Sequence, residues 1–304
     1  MQLRALRYFN QVSQSSSLRE AAEKLFVTPT AVTRQIELLE HYYGASLIER
    51  SPRGIRLTAE GEHLALAVQF CLRELDEVKD KISSAQTRVS GKVRISCAES
   101  LISTLITPAI ESFRLRHPEV RFEIDIGSAP RVAEALVGDC ADVAVSFYMP
   151  ALSGLHVTHS CSVQHQVLMS PHHPLSGSCG LTLKEIAGFP IAAPASEFAV
   201  RQSLETAAKR EGIRLDIRFV TASIEIQKQL ARQGLALIIL PKMSGAEKGL
   251  SEDLVAVSLN DPLMGIVRID LGLPAQRTLS RAVKLFHETL GQYIEAQPSP
   301  AITC

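Results

Sequence analysis

The chain has 304 residues, with 32 Lys/Arg balancing 32 Asp/Glu, 46% hydrophobic and 21% charged residues. That length predicts two or three domains with sizeable cores, and the ordinary, balanced composition excludes a disordered, fibrous or uniformly basic chain. The longest apolar run, 235–240, is far too short to cross a bilayer, and Met1-Gln2-Leu3-Arg4 opens without an apolar leader, so the expectation is a cytoplasmic protein with no membrane partner.

Charge is unevenly distributed. Residues 1–58 hold eight Lys/Arg against five Asp/Glu, which suits a modest phosphate-binding face. In that stretch Leu3, Leu6, Phe9 and Val12 fall on one face of a helix. Ser15, Ser16 and Ser17 break it, and Ser17 with Glu20 has the S-x-x-E spacing of a capping box. The second helix buries Leu18, Ala21, Ala22 and Leu25. After a short turn, Thr28 is a suitable N-cap and Pro29 a suitable first residue for a third helix, which buries Val32, Ile36 and Leu39 and ends at Gly44.

Two short helices, a tight turn and a longer helix are a helix-turn-helix, whose last helix enters the major groove with its N-terminal residues against base edges. Those residues are Thr28, Pro29, Thr30, Thr33 and Arg34. Threonine offers a hydroxyl to base or phosphate and a methyl to thymine; arginine suits guanine or phosphate. Next, two apolar stretches flank Ser51-Pro52-Arg53-Gly54, which reads as a two-stranded wing. Arg53 at its tip, with Arg50 and Arg56 nearby, suits a narrow minor groove or a phosphate. A three-helix cap with a solvated basic loop is the competing reading.

The run Ser17-Leu18-Arg19-Glu20-Ala21-Ala22-Glu23-Lys24-Leu25, then Thr28-Pro29-Thr30-Ala31-Val32-Thr33-Arg34-Gln35-Ile36, Leu38-Leu39-Glu40, Gly44, Leu47-Ile48-Glu49-Arg50, Leu57-Thr58 and Gly61 resembles the signature of LysR-type transcriptional regulators. Thr28-Pro29-Thr30 departs from the family's common Ser-Gln-Pro, which removes a glutamine able to read adenine. Leu47-Ile48-Glu49-Arg50 replaces its Leu-Phe-x-Arg. The resemblance implies a multi-domain α/β regulator: an N-terminal winged helix-turn-helix, a long linker helix, and a two-lobed α/β effector-binding domain resembling periplasmic binding proteins. It also implies promoter DNA, a small-molecule effector, RNA polymerase and further copies of the chain as partners. Its members pair through the linker helix and commonly form tetramers, and many bind small organic acids.

The residues beyond the wing support that layout. Leu64, Val68, Leu72, Leu75, Val78 and Ile82 make one apolar stripe on a long helix, which predicts dimerisation. Expected boundaries are 1–58 for the DNA-binding domain, 59–90 for the linker helix and hinge, and 91–304 for the effector domain. Lobe I is expected at about 91–162 and 268–304, and lobe II at about 163–267. The hinge, 85–92, is polar and small.

Strands and helices then alternate: strands at 92–97, 121–126 and 142–147 with helices at 100–117 and 131–136, a crossing segment, and a second set from 166 to 240. The last part holds strands at 255–259 and 264–271 and a helix over 276–295. Alternation predicts parallel sheets, with ligands beyond the strand ends at helix N-termini. The effector candidates are therefore Ala98, Glu99, Ser100, Leu101, Ser128 and Phe147 in the first lobe, and Ser196, Phe198 and Thr221 in the second. Ser100, Ser196 and Thr221 read equally as plain N-caps. Glu99 and Glu197 near the cleft favour a neutral or cationic effector unless they face solvent.

Other chemistry finds little footing. His156, His159, Cys161 and His165 cluster, yet no recognised ligand spacing completes a metal site. The six cysteines, Cys71, Cys97, Cys140, Cys161, Cys179 and Cys304, hold no C-x-x-C pair and read as inert thiols rather than a redox sensor. No G-x-S-x-G, P-loop, Rossmann or H-E-x-x-H motif is present, so neither an enzyme nor a cofactor or metal is expected.

Overall fold

The structure, a computed structural model, describes residues 3–51, 54–83, 89–243, 253–261, 264 and 266–297. It divides into two compact units, Met1–Thr87 and Arg88–Cys304.

The first unit runs α1 (Leu3–Ser13), α2 (Leu18–Lys24), α3 (Pro29–Tyr43), β1 (Ile48–Ser51), β2 (Gly54–Leu57) and α4 (Ala59–Ser83). Its core joins Phe9 and Val12 of α1, Ala21 and Ala22 of α2, and Val32, Ile36 and Leu39 of α3. The two alanines let α2 approach α3 closely. The Ser17 hydroxyl accepts the Glu20 N–H at 3.1 Å, but the Glu20 carboxylate reaches back to Ser16, taking its N–H at 2.7 Å. The reciprocal half of the expected capping box thus lands one residue early.

The wing is an antiparallel ribbon with Ile48 opposite Leu57 and Ser51 opposite Gly54. It is tied to the helices at two points. Ile55 N–H donates to the Ser16 carbonyl at 3.1 Å, and the Glu40 carboxylate of α3 accepts Leu47 N–H at 2.8 Å. Gly54 has φ +123, and a Cβ there would meet the Ser16 carbonyl, so backbone conformation and close approach both require glycine. The expected stripe on α4 is divided. Ala65 and Val68 are buried in the head core, with Leu64 and Leu72 packed against it, whereas Leu75 and Val78 are exposed.

The second unit contains β3 (Gly91–Cys97), a 3-10 turn (Glu99–Leu101), a π-helical turn (Ile102–Ile106), α5 (Thr107–Arg116), β4 (Val120–Ile126), α6 (Ala129–Val137), β5 (Val143–Phe147) and β6 (Leu155–Met169). It continues through α7 (Leu183–Ile186), β7 (Ile191–Ala193), α8 (Ala199–Glu211), β8 (Ile217–Val220), α9 (Ile224–Arg232), β9 (Leu237–Pro241), β10 (Val255–Ser258), β11 (Ile266–Pro274) and α10 (Arg281–Glu295).

The strands lie in the order β4-β3-β5-β11-β6-β9-β7-β8, with β10 beside β6. β3 is parallel to β4 and β5, and β7 to β8 and β9. β11 is antiparallel to β5 and β6, and β6 to β9 and β10. Each lobe is therefore mixed rather than parallel as expected, because the two strands that pass between lobes run in opposite directions. The expected crossing segment is itself part of β6, a single strand of 15 residues.

In lobe I, Phe113 of α5, Phe122 of β4 and Phe286 of α10 form an aromatic cluster, with Phe113 and Phe286 centroids 5.4 Å apart. Helix α6 covers the other face through Val132 and Leu136 on Ala144. In lobe II, Leu204 and Ala207 of α8 pack on Ile191 and Leu237, while Ala231 of α9 packs on Ile238 from the opposite side.

Two further expectations are corrected. The helix expected over 100–117 opens as a 3-10 and then a π turn. Pro108 explains this: its ring lacks an N–H and would clash with the Thr104 carbonyl in a regular α-helix. β3 begins at Gly91, one residue before the strand expected at 92–97 and inside the expected hinge; residues 84–88 lie outside the described residues. Finally, a buried ion network links lobe I to the segment before α10. Arg277 bonds Asp139 at 2.8 Å and Asp142 at 2.5 Å, and Asp142 also holds Arg94 at 2.6 Å.

Candidate DNA-reading head and effector cleft

Helix α3 starts as its sequence dictates. Thr28 is extended (φ −79, ψ 147), its hydroxyl accepts Ala31 N–H, and Pro29 occupies the first turn. With Val32, Ile36 and Leu39 facing the core, helical periodicity turns Thr30, Arg34 and Glu37 outward. Thr28, Pro29, Thr30 and Arg34 are exposed and Thr33 is half-buried. Arg34 has neither a hydrogen bond nor an ion pair among the described residues, so its guanidinium is available to an outside acceptor. Arg50 lies in β1 opposite Ile55; its side chain, and the whole of Arg53, lie outside the described residues.

The head is braced by Glu20, which bonds Lys24 at 2.7 Å as well as Ser16. Those contacts, led by Lys24, hold its carboxyl down at about 2. One feature was not anticipated from the sequence. Phe26, in the turn before α3, is 95% exposed and has φ 55, a left-handed conformation that disfavours bulky residues.

Between the lobes lies a cavity of about 450 Å³. Ala129 and Pro130 at the start of α6 form one wall, and Glu197 with Gln202, Ser203 and Thr206 of α8 form the other. Tyr148, Met264 and Ile266 lie where the crossing strands meet it. Tyr148 is held at φ 45, with its hydroxyl donating to the Ile266 carbonyl at 2.6 Å. Burial raises its phenol above the ordinary value. Beside Met264, His165 is 2% exposed, and burial lowers it to about 4, so its imidazole is neutral. Among the described residues that line this cavity, Glu197 is the one ionisable carboxylate and none is Lys or Arg.

The structure distributes the nine predicted effector residues unevenly. Leu101 is fully buried and Ala98 nearly so in the lobe I core, with Phe147 packed against it. Glu99 and Ser100 are half-buried in the 3-10 turn. Ser128 caps α6 without a side-chain bond, and Ser196 is exposed, with its carbonyl accepting from Gln202. The N-cap alternatives are corrected: Ala98, Phe198 and Ser223 hold those positions, not Ser100, Ser196 and Thr221. The Thr221 hydroxyl instead accepts Ser223 N–H at 3.3 Å.

The cavity wall is thus built from neighbours of the predicted residues, one step along the chain at Ala129, Tyr148, Glu197 and Ala199. Gln202, Ser203 and Thr206 were missed because strand ends were read and helix faces were not. Their signal was available: three polar residues spaced to share one face of α8.

Among the described residues no group of three or more His, Cys, Asp or Glu is arranged to hold a metal, and no helix is long and apolar enough to cross a membrane. His159 of the expected cluster instead faces α10, with Nε2 3.6 Å from Glu295. Burial pushes the Cys97 thiol up to about 12 and the Cys161 thiol to about 11, far from a reactive thiolate.

A winged helix-turn-helix joined to a two-lobed ligand cleft defines a DNA-binding regulator that responds to a small molecule. Residues 3–62 match the family described as "Bacterial regulatory helix-turn-helix protein, lysR family", and 86–295 match "LysR substrate binding domain". The chain belongs to the LysR family of transcriptional regulators. It is 27% identical over 261 residues to the HTH-type transcriptional regulator CysB of Haemophilus influenzae, covering 84% of this chain and 80% of that one. Against the HTH-type transcriptional regulator IlvY of Escherichia coli it is 28% identical over 174 residues, 57% of this chain and 59% of that one. Its fold matches full-length CbnR complexed with its target DNA (TM-score 0.71, 18% identity, 96% and 99% coverage) and a full-length OxyR variant of Pseudomonas aeruginosa (TM-score 0.71, 16% identity, 98% and 95% coverage).

Proposed function

We propose that this regulator reads its operator through Thr28, Pro29, Thr30, Thr33 and Arg34, with Arg50 and Arg53 of the wing on backbone or minor groove. The observation that carries this reading is the exposed Arg34 on the outward face of α3, beside Thr30 and unpaired among the described residues. The regulator acts in the cytoplasm as a homo-oligomer, a dimer or tetramer, paired through the exposed Leu75 and Val78 of α4, and it is not an enzyme. It communicates with RNA polymerase at the promoter.

The effector occupies the cavity between the lobes, whose lining adjoins the predicted Ser128, Phe147, Ser196 and Phe198 along the chain. Gln202, Ser203 and Thr206 supply its hydrogen bonds. Glu197, with no cation among the described residues of the wall, favours an effector that presents an amine or hydroxyl there, over the small organic acid the family resemblance suggested.

The test uses DNA fragments that the purified protein selects from a random pool. Arg34→Ala and Arg53→Ala should each weaken binding several-fold, and a lost phosphate contact should reduce the salt slope by about one. Unchanged affinity and slope in both variants would reject the docking described.

A further inference from the structure

A second groove, of about 480 Å³, flanks the strands that cross between the lobes. Its roof is the segment from Met149 to Ser153, and its floor is formed by Leu155, Val157 and Ser160 of β6 and by Arg268 and Asp270 of β11. Asp270 is fully buried, an expensive place for a carboxylate unless its bonds are complete. They are: it accepts Met149 N–H at 2.8 Å, the Ser160 hydroxyl at 2.7 Å and Arg268 Nε at 2.9 Å.

That arrangement leaves Arg268 in an unusual condition. Its Nε is fixed by Asp270, which orients the guanidinium plane, while its two Nη groups have no hydrogen bond among the described residues. The side chain is 51% exposed, so the fork opens into the groove rather than into the core. Among the described residues, Asp270 and Arg268 are the only ionisable groups that line this groove. The rest of the lining is mainly hydrocarbon, led by Met149, Leu152, Leu155 and Val157.

A pre-oriented guanidinium at one end of an apolar trough is complementary to a carboxylate carried on a compact hydrocarbon body. The geometry points to this groove as a second small-molecule site, distinct from the cavity between the lobes and specific for an organic monocarboxylate. The carboxylate meets the Nη groups of Arg268, and the hydrocarbon lies against Leu152, Leu155 and Val157. Because Tyr148 N–H donates to the Arg268 carbonyl and Met149 N–H to Asp270, an occupant also braces the segment that joins β5 to β6, beside the cavity lined by Tyr148.

The test is calorimetric titration of the full chain with phenylacetate and with its uncharged amide, phenylacetamide. Phenylacetate should bind saturably, and the amide should bind at least about tenfold more weakly, since it cannot form the charge-assisted pair. Arg268→Gln should lose about tenfold or more for phenylacetate, whereas Gln202→Ala, in the other cavity, should leave it unchanged. A crystal soaked in 4-bromophenylacetate should place the bromine against Leu152 and Leu155.

Phenylacetate binding that survives Arg268→Gln, that Gln202→Ala abolishes, or that does not occur at all would overturn the proposal. So would bromine located between α6 and α8. Operator binding measured on the same variants separates this outcome from failure of the DNA-binding reading, which does not depend on the groove.

Discussion

Phe26 shows how a single residue can oppose the fold that holds it. A bulky side chain at φ 55 with 95% exposure gains no packing, and the left-handed conformation costs about 1–2 kcal/mol. Asparagine tolerates that conformation. Phe26→Asn should therefore stabilise the DNA-binding unit by roughly 0.5–1 kcal/mol in urea denaturation; a loss of stability would show that the ring makes an intramolecular contact absent from this structure. Gly61 presents the opposite case, since a Cβ there would run into the Leu47 carbonyl. Gly61→Ala should destabilise the head by about 1–3 kcal/mol, because backbone on both sides has to move. The contrast bears on what a sequence discloses. The cap at Thr28 was legible because a hydroxyl followed by proline has one local use. The conformation of Phe26 was not, because left-handed turns are ordinarily announced by glycine or asparagine.

Elements with their own periodicity were predicted well: α1, α3, α4 and α8 carry apolar residues at helical spacing, and β3 and β5 are short apolar runs. What escaped was determined by contacts distant in sequence. β6 has histidines and serines over its first half, and is a strand there because β11 pairs with it from Ile266 to Pro274. The polar face of α8 was legible, but its place in a cavity was not, since α6 and α8 come to line one cavity only after the lobes assemble.

Long-range links of this kind also carry stability. Asp142 holds both Arg94 and Arg277, so Asp142→Ala leaves Arg94 without its carboxylate and Arg277 with Asp139 alone. Removing one partner of such a buried set typically costs about 3–5 kcal/mol, which thermal denaturation of the full chain would register; a change under about 1 kcal/mol would contradict it.

At the scale of the whole molecule, buried His165 and half-buried His287 predict that the effector domain loses stability in acid. His165 and His287 are each lowered from 6.5 to about 4, chiefly by burial, and His159 adds repulsion at His287. The unfolded chain therefore binds protons more readily than the folded one between those values. Stability is fully present above about 6.5 and falls as the pH drops towards 4. Melting temperatures recorded from about pH 7.5 to 4 should decline through that window, and a flat profile would refute the neutral assignment. Coupling between the modules makes a separate prediction at this scale. Effector binding should change either the affinity for operator or its bend angle, as measured by gel mobility of circularly permuted fragments; an effector that alters neither would rule out the switch.

The course of β6 and β11 has a consequence for how the chain is made. Lobe I is interrupted: β3, β4 and β5 precede lobe II, while β11 and α10 follow it. Its core needs Phe286 and Leu290 near the C-terminal end. Lobe II, in contrast, is contiguous. As the chain leaves the ribosome, the DNA-binding head has all its parts first, then lobe II, and lobe I last. Until α10 emerges, that apolar face of β3 and β5 is covered only in part, by α5 and the turns before it. A nascent chain could therefore reach DNA before its ligand-binding half is whole, and premature termination after β9 would release a head that lacks its control module.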